Sequence, residues 1–232
     1  MGGGMMDMVR KNRRLVLGGL ASLMLARPLA AHSSAPMASP RWTVSPVDQG
    51  HSNLCWLACV TMMISWRAST SYSMRWVAKL LGAPFEAYYQ DGIQGRANQG
   101  LLLGDEVELL AKRAELTRYG LASFDTSWWL NQLQYGPLVI LGMNPDAQIG
   151  HAKLLVQLEP SGSSPTDLIA TVVDPATARI ERQPFLALIQ FYERLARQPL
   201  KYALLQILSS YNANATPDGA DQLLSILKGD AS

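Results

Sequence analysis

The sequence predicts an α+β fold, with helices in the first half of the chain and an antiparallel sheet in the second. Two observations support this prediction. Residues 53–66 form an almost wholly apolar run, which is too long for an ordinary strand and indicates a buried helix. After Gly136 the pattern changes to short apolar runs separated by turn residues, as is typical of strands. We expect the two halves to face each other across a cleft.

The first half is predicted to contain helices that each have a capping residue or charges that suit the helix dipole. They span residues 53–66, 74–81, 105–113 and 125–136. Ser52 or Asn53 is expected to cap the first helix and Ser73 the second, which Gly82 ends. Residues 84–103 are rich in glycine and are predicted to form an irregular surface segment.

The second half is predicted to contain strands bounded by turn residues. They span residues 137–142, 153–158, 168–173 and 202–208. A hairpin-like turn at 161–165 joins the second of these strands to the third. Residues 184–197 have the period of an amphipathic helix, and Pro184 suits its first turn. A short helix is predicted at 221–228, close to the C-terminus.

The first 31 residues have the three parts of an export signal. A basic region ends at Arg13 and Arg14, an apolar run follows over residues 15–26, and small residues precede His32. The arginine pair before an apolar run resembles a twin-arginine signal; an ordinary secretory signal and an uncleaved membrane anchor are the alternatives. We therefore expect export machinery to act on this segment and the protein to be periplasmic or secreted.

The distribution of charge argues against a nucleic-acid-binding protein. The chain has a formal net charge of +2, but residues 1–31 hold five of its 20 Lys and Arg residues and one of its 18 Asp and Glu residues. The rest of the chain is therefore slightly acidic, and its sequence has no cluster of Lys and Arg. An apolar content of 48% suits one globular domain with a substantial core.

Two cysteines, Cys55 and Cys59, lie in the first predicted helix. Their spacing of four residues points both side chains the same way along the helix, which disfavours a disulfide between them. Cys55 is placed near the helix start, where unpaired backbone N–H groups and the helix dipole favour a nucleophilic thiolate. Cys59, one turn deeper, is expected to be a buried apolar residue. No Cys and His cluster in the sequence suggests a metal site.

Three polar residues elsewhere in the chain complete a possible set for acyl transfer. Gln49 lies six residues before Cys55, and its amide can donate to a developing oxyanion. His151, near the start of a predicted strand, can serve as a base; a hydrogen-bonded structural His is the alternative. Asp174 ends the next strand, so an antiparallel hairpin would bring it to His151 and orient the imidazole. The alternative for Asp174 is a turn residue before Pro175.

Gln49, Cys55 and Trp56 resemble the Gln-x5-Cys-Trp arrangement of the papain clan of cysteine peptidases. His151, followed by the small residue Ala152 and an apolar run, is similar to the strand that carries the base in that clan. The resemblance implies an α+β papain-like fold and a peptide or protein substrate, with no metal or organic cofactor.

The same resemblance implies a role for each matching position. Cys55 would be the nucleophile, His151 the general base, and Asp174 the residue that orients His151. Gln49 would hold the oxyanion together with the backbone N–H of Cys55. Trp56 and Gly150 would contribute to the substrate-binding surface.

Two departures argue against a cathepsin. The separation between Cys55 and His151 is 96 residues, below the roughly 130–150 of cathepsins, and the flanking disulfide cysteine is absent. Both features resemble compact bacterial groups: secreted effector cysteine proteases and peptidases that process bacteriocin leaders. A Gly-Pro-apolar strand before His151, here beginning at Gly136, is also found in those groups.

The resemblance covers about residues 42–183. It does not explain residues 184–232. Together with the patterns at the two ends, the sequence predicts a signal peptide over 1–31, a flexible leader over 32–41, a papain-like catalytic domain over 42–208 and a C-terminal extension over 209–232. Two alternatives stay open from the residues alone. The same site can serve acyl transfer to an amine or hydrolysis of an isopeptide or small amide, and the domain can be an exported, non-catalytic binding module.

Overall fold

A computed structural model describes residues 38–50, 53–96, 105–119, 125–144, 150–162, 167–196 and 206–209. Several predictions from the sequence lie outside these residues. They concern the signal peptide, most of the flexible leader, a cap at Ser52, most of the turn at 161–165, the start of the last strand and the terminal helix at 221–228.

The described residues form helices α1 to α6 and strands β1 to β6. The helices are α1 (Cys55–Arg67), α2 (Met74–Leu81), α3 (Phe85–Ile93), α4 (Asp105–Arg113), α5 (Thr126–Gln132) and α6 (Phe185–Ala196). The strands are β1 (Thr117–Tyr119), β2 (Leu138–Met143), β3 (Gly150–Pro160), β4 (Leu168–Asp174), β5 (Arg179–Pro184) and β6 (Gln206–Ser209). The predicted α+β class is confirmed.

Local sequence signals position helices α2, α4 and α5. The Ser73 hydroxyl accepts a hydrogen bond from the Trp76 N–H at 3.2 Å, so the cap predicted for α2 is formed. Asp125 caps α5 in the same way, accepting from the Ser127 N–H at 2.9 Å. Helix α4 has the predicted bounds, with acidic residues in its first turn and basic residues in its last.

Two predictions for helix ends are wrong. Leu54, not Asn53, is the N-cap of α1, and no side chain caps it, because Asn53 has a positive φ of 78° and turns the chain into the helix. Cys55 is consequently the first residue of α1 rather than about the third. Pro184 ends β5 instead of opening α6, because it pairs with Ile169 of β4.

The predicted irregular segment at 84–103 is also wrong in part, since residues 85–93 form α3. Packing overrides the glycine signal there. Gly92 lies inside the helix, and a Cβ atom at that position would come within 2.7 Å of the Leu54 side chain. The absence of a side chain thus lets α3 pack closely against the loop that leads into Cys55.

The strands form one antiparallel sheet, in the order β1-β6-β2-β3-β4-β5 among the described residues. β3 and β4 form the central hairpin, and the register places Leu154 opposite Val173. Asp174, at the end of β4, therefore comes close to the start of β3, as the sequence predicted. Strands β1 and β5 were not predicted, because both are short and β5 is largely polar and exposed.

The core lies on both faces of the sheet. Alternate residues of β3 belong to different apolar clusters: Ala152 and Leu154 pack in the cluster of α1, whereas Leu155 packs in the cluster of α5 and α6. Burial of both faces explains why β2 is apolar at every position. The sheet therefore lies between α1 on one face and α6 on the other.

Candidate active site

Cys55 begins α1 and is 5% exposed. Earlier in the chain, residues 48–50 make a tight turn, in which the Gly50 N–H donates to the Asp48 carboxylate at 2.7 Å. At the first helical position the thiol lies beside backbone N–H groups that have no partner within the helix. The N-terminal end of the helix also carries partial positive charge, which stabilises an anion there.

His151 and Asp174 form a buried hydrogen-bonded pair. His151 Nε2 lies 2.8 Å from Asp174 Oδ1. An ionised carboxylate only accepts hydrogen bonds, so Nε2 carries the proton in this pair. The second ring nitrogen, Nδ1, is then the atom left to interact with the Cys55 side chain, which is close enough to the ring to influence its pKa. The ring thus connects the carboxylate to the thiol.

The surroundings of His151 stabilise its protonated form. Burial alone would lower its pKa, but hydrogen bonds to Asp174 and Cys55, and the charges on both, outweigh burial and raise the pKa of His151 to about 9. At neutral pH the ring is therefore an imidazolium. A positive ring next to Cys55 favours a negative sulfur.

Asp174 has a donor on each of its carboxylate oxygens. Oδ1 accepts from His151 and, at 2.9 Å, from the backbone N–H of Ala176, while Oδ2 lies 2.8 Å from Lys153 Nζ. Burial would raise the pKa of Asp174, but the hydrogen bonds from His151, Lys153 and Ala176 hold it well below its usual range. The carboxylate stays ionised throughout the neutral range.

Cys59 has a different environment from Cys55, although it lies only one turn further along α1. It is fully buried, and burial raises its pKa well above the ordinary value, with the charges at Cys55 and Asp174 adding to the effect. A thiol that resists ionisation is a poor nucleophile. Cys59 is thus buried in the apolar core, as expected from the sequence.

Gln49 lies on the loop before α1, next to the turn that follows Asp174. Its N–H donates to the Pro175 carbonyl at 3.0 Å, which ties this loop to the end of β4. Its Oε1 is buried and has no hydrogen-bond partner within the described part of the chain. The donor end of the amide is Nε2.

The two residues predicted to contact substrate have different positions. The Trp56 side chain is 2% exposed and packs against Phe85 with ring centroids 5.8 Å apart. This position corrects the prediction, because a side chain enclosed in the core has no surface for substrate. Gly150 opens β3, directly before His151, and pairs with Met143 of β2.

Sequence reasoning missed Lys153 and Phe191. Lys153 was interpreted only as the first residue of a strand, yet it bonds to Asp174. Its position two residues after His151, which puts both on one side of a strand, was an available signal. Phe191 of α6 lies against the His151 ring, with centroids 6.4 Å apart, and nothing in the sequence pointed to it.

Within the ranges that the structure describes, no group of His, Cys, Asp and Glu residues is arranged to hold a metal ion. None of the helices in these ranges combines the length and the hydropathy needed to cross a membrane.

The fold and this arrangement of Cys, His and Asp define the class of papain-like cysteine peptidases. Residues 41–196 match the family described as papain-like cysteine protease AvrRpt2, and the chain belongs to that family. The match includes α6 and so extends past residue 183, where the resemblance seen in the sequence ended. No curated protein sequence matches the chain. The predicted papain-like cysteine peptidase, of the effector type, is thus confirmed, and its substrates are peptides or proteins.

Proposed function

We propose that Cys55, His151 and Asp174 are the catalytic triad of this cysteine peptidase. The observation that carries the proposal is the position of His151, which bonds to Asp174 through Nε2 at 2.8 Å and interacts with Cys55. A base held by a carboxylate on one side and facing a helix-start thiol on the other is the arrangement that nucleophilic catalysis requires.

The chemistry follows from the two protonation states of His151. The Cys55 thiolate attacks the peptide carbonyl, and the N–H of Cys55 and Nε2 of Gln49 donate to the oxyanion. The His151 imidazolium then gives its proton to the leaving amine. The neutral imidazole activates a water molecule, which hydrolyses the thioester. Gly150 has no side chain that could obstruct a peptide next to His151, so it is the remaining candidate for a substrate contact.

The first test is alkylation of the full chain with iodoacetamide between pH 5 and 8, with each labelled cysteine identified by mass spectrometry. We expect Cys55 to react at pH 6 at least 10-fold faster than an ordinary thiol, because the imidazolium stabilises its thiolate. Cys59 is expected to stay unlabelled in the folded protein, because it is buried and resists ionisation.

The His151→Ala variant tests whether the fast reaction depends on the pair. We expect this variant to label Cys55 at the rate of an ordinary thiol, whereas Cys59→Ala should label it at the wild-type rate. Slow labelling of Cys55 in the wild type, with no effect of His151→Ala, would contradict the triad. That result would instead favour the non-catalytic binding domain.

We also propose that the protein is exported to the periplasm or beyond, with residues 1–31 as a twin-arginine signal. The support is the sequence alone: Arg13 and Arg14, the apolar run and the small residues before His32. In a bacterial host, replacing both arginines with Lys should leave the full chain in the cytoplasmic fraction. Replacing Arg10 with Lys is the matched control and should not affect export. Equal export of all three chains would contradict the twin-arginine signal.

A further inference from the structure

Lys153 is a largely buried cation that the proposed mechanism does not use. Its side chain is 12% exposed, and its ammonium lies 2.8 Å from Oδ2 of Asp174. A Lys ammonium removed from water is unfavourable unless it is paired. Here its partner is the carboxylate that orients His151, and both side chains that bond to that carboxylate belong to β3.

The Phe191 ring also packs against the Lys153 ammonium. Lys153 Nζ lies 5.5 Å from the centroid of the Phe191 ring, within range of a cation–π interaction. The same ring meets the His151 ring edge to face. It reaches this position because Gly142, which pairs with His151 in the sheet, has no side chain; a Cβ there would collide with the ring.

We propose that Lys153 is a positioning residue for the triad, whose ammonium fixes the Asp174 carboxylate so that Oδ1 faces His151. The inference rests on the proposed triad. A carboxylate turns about its bond to Cβ unless both oxygens are held. The Ala176 N–H and His151 hold Oδ1, and Lys153 holds Oδ2. Without the ammonium, Oδ2 would be buried with no bond, and the carboxylate would turn or move toward water.

The charged and titratable groups around this pair come from three elements. Helix α1 contributes Cys55 and Cys59, β3 contributes Lys153, and β5 places the exposed Arg179 opposite Asp174. Helix α6 presents the uncharged ring of Phe191. Among these groups, Lys153 is therefore the cation whose removal changes the charge next to Asp174 and His151.

Positioning and simple electrostatics predict opposite results when Lys153 loses its charge. If Asp174 stayed in place, removing a nearby positive charge would raise the pKa of His151 further above 9. If Lys153 positions the carboxylate, removing it weakens the bond from Asp174 to His151. The pKa of His151 then falls toward its ordinary value of about 6.5. The sign of the change separates the two explanations.

The experiment compares Lys153→Met, Lys153→Arg and the exposed control Lys79→Met in the full chain. The pKa of His151 is measured from the NMR titration of its ring, assigned with His151→Ala, and Cys55 reactivity from iodoacetamide labelling at pH 6. We expect Lys153→Met to lower the His151 pKa by at least one unit and to slow labelling about 10-fold. Lys153→Arg should keep most of the high His151 pKa and most of the Cys55 labelling rate. Lys79→Met should match the wild type in both.

Two outcomes would overturn the inference: a higher or unchanged pKa of His151 in Lys153→Met, or a loss of thermal stability with wild-type labelling of Cys55. Both remain distinct from a failure of the proposed triad, which would appear as slow labelling in the wild type itself. If Lys153→Met does not fold, Lys153→Arg cannot decide the question, because it keeps the charge. Lys153→Gln is therefore held in reserve, because it also removes the charge, and a higher or unchanged pKa of His151 in that variant would likewise overturn the inference.

Discussion

Replacing Cys55 with Ala is expected to reduce kcat/KM for peptide hydrolysis by roughly 10³-fold or more. The reason is that the thioester cannot form without the sulfur, and Cys59 is too deeply buried to replace it. Ala fits the first turn of α1 and removes one atom from a side chain that is 5% exposed, so the fold should be retained. Hydrolysis of fluorescein-labelled casein by the full chain, together with the melting temperature, measures both effects.

Cys59→Ala is the matched control, because it makes the same substitution one helical turn further on. We expect it to lower the free energy of unfolding by about 1 kcal/mol, as the cavity it leaves is small. Its kcat/KM should stay within a factor of two or three of the wild type. Equal losses of activity in the two variants would mean that the helix, and not the Cys55 sulfur, is what hydrolysis requires.

The triad candidates could be found in the sequence because each depends on a local signal. Cys55 stands near a helix start, and Gln49 precedes it by a fixed step. Asp174 follows from the rule that the end of one strand of an antiparallel hairpin lies next to the start of the other. The observed register, with Leu154 opposite Val173, bears out that rule.

The residues that the sequence did not predict depend on contacts between distant elements. The role of Lys153 requires knowing that a carboxylate of β4 lies opposite it, and Phe191 comes from a helix 40 positions further along the chain than His151. Trp56 was misplaced for a related reason. The resemblance to the papain clan suggested that Trp56, next to Cys55, contacts substrate. The packing of Phe85 from α3 against its ring shows instead that the side chain lies in the core.

The bond from Lys153 predicts that an Asn would not serve at position 174, although other papain-like peptidases use one. An amide has one acceptor atom, and here donors face both ends of the group: His151 and the Ala176 N–H at Oδ1, and Lys153 at Oδ2. If the amide oxygen accepts from His151, its NH2 group meets the Lys153 ammonium. If the oxygen accepts from Lys153, the NH2 group donates to Nε2, and the imidazole proton must move to Nδ1, on the side of Cys55.

We therefore expect Asp174→Asn to lower kcat/KM by roughly 10²- to 10⁴-fold, because His151 loses both its counter-ion and its tautomer. The free energy of unfolding should fall by about 3 kcal/mol, since Lys153 is left buried without a carboxylate. Asp174 contributes its stability above its unfolded pKa of about 4, and that contribution is lost only as pH falls through its low folded pKa. The stability difference between wild type and variant should consequently be largest near neutral pH and shrink in acid.

The double variant Lys153→Met with Asp174→Asn tests the conflict between the two donors directly. Without the ammonium, the amide oxygen is free to accept from His151, so the double variant should be more stable and more active than Asp174→Asn alone. The coupling between the two substitutions should therefore be favourable, by about 1 kcal/mol or more, in a double-mutant cycle on urea unfolding. Additive losses would mean that Asp174 and Lys153 act independently. The requirement for a carboxylate at position 174 would then have to come from the charge of His151 alone.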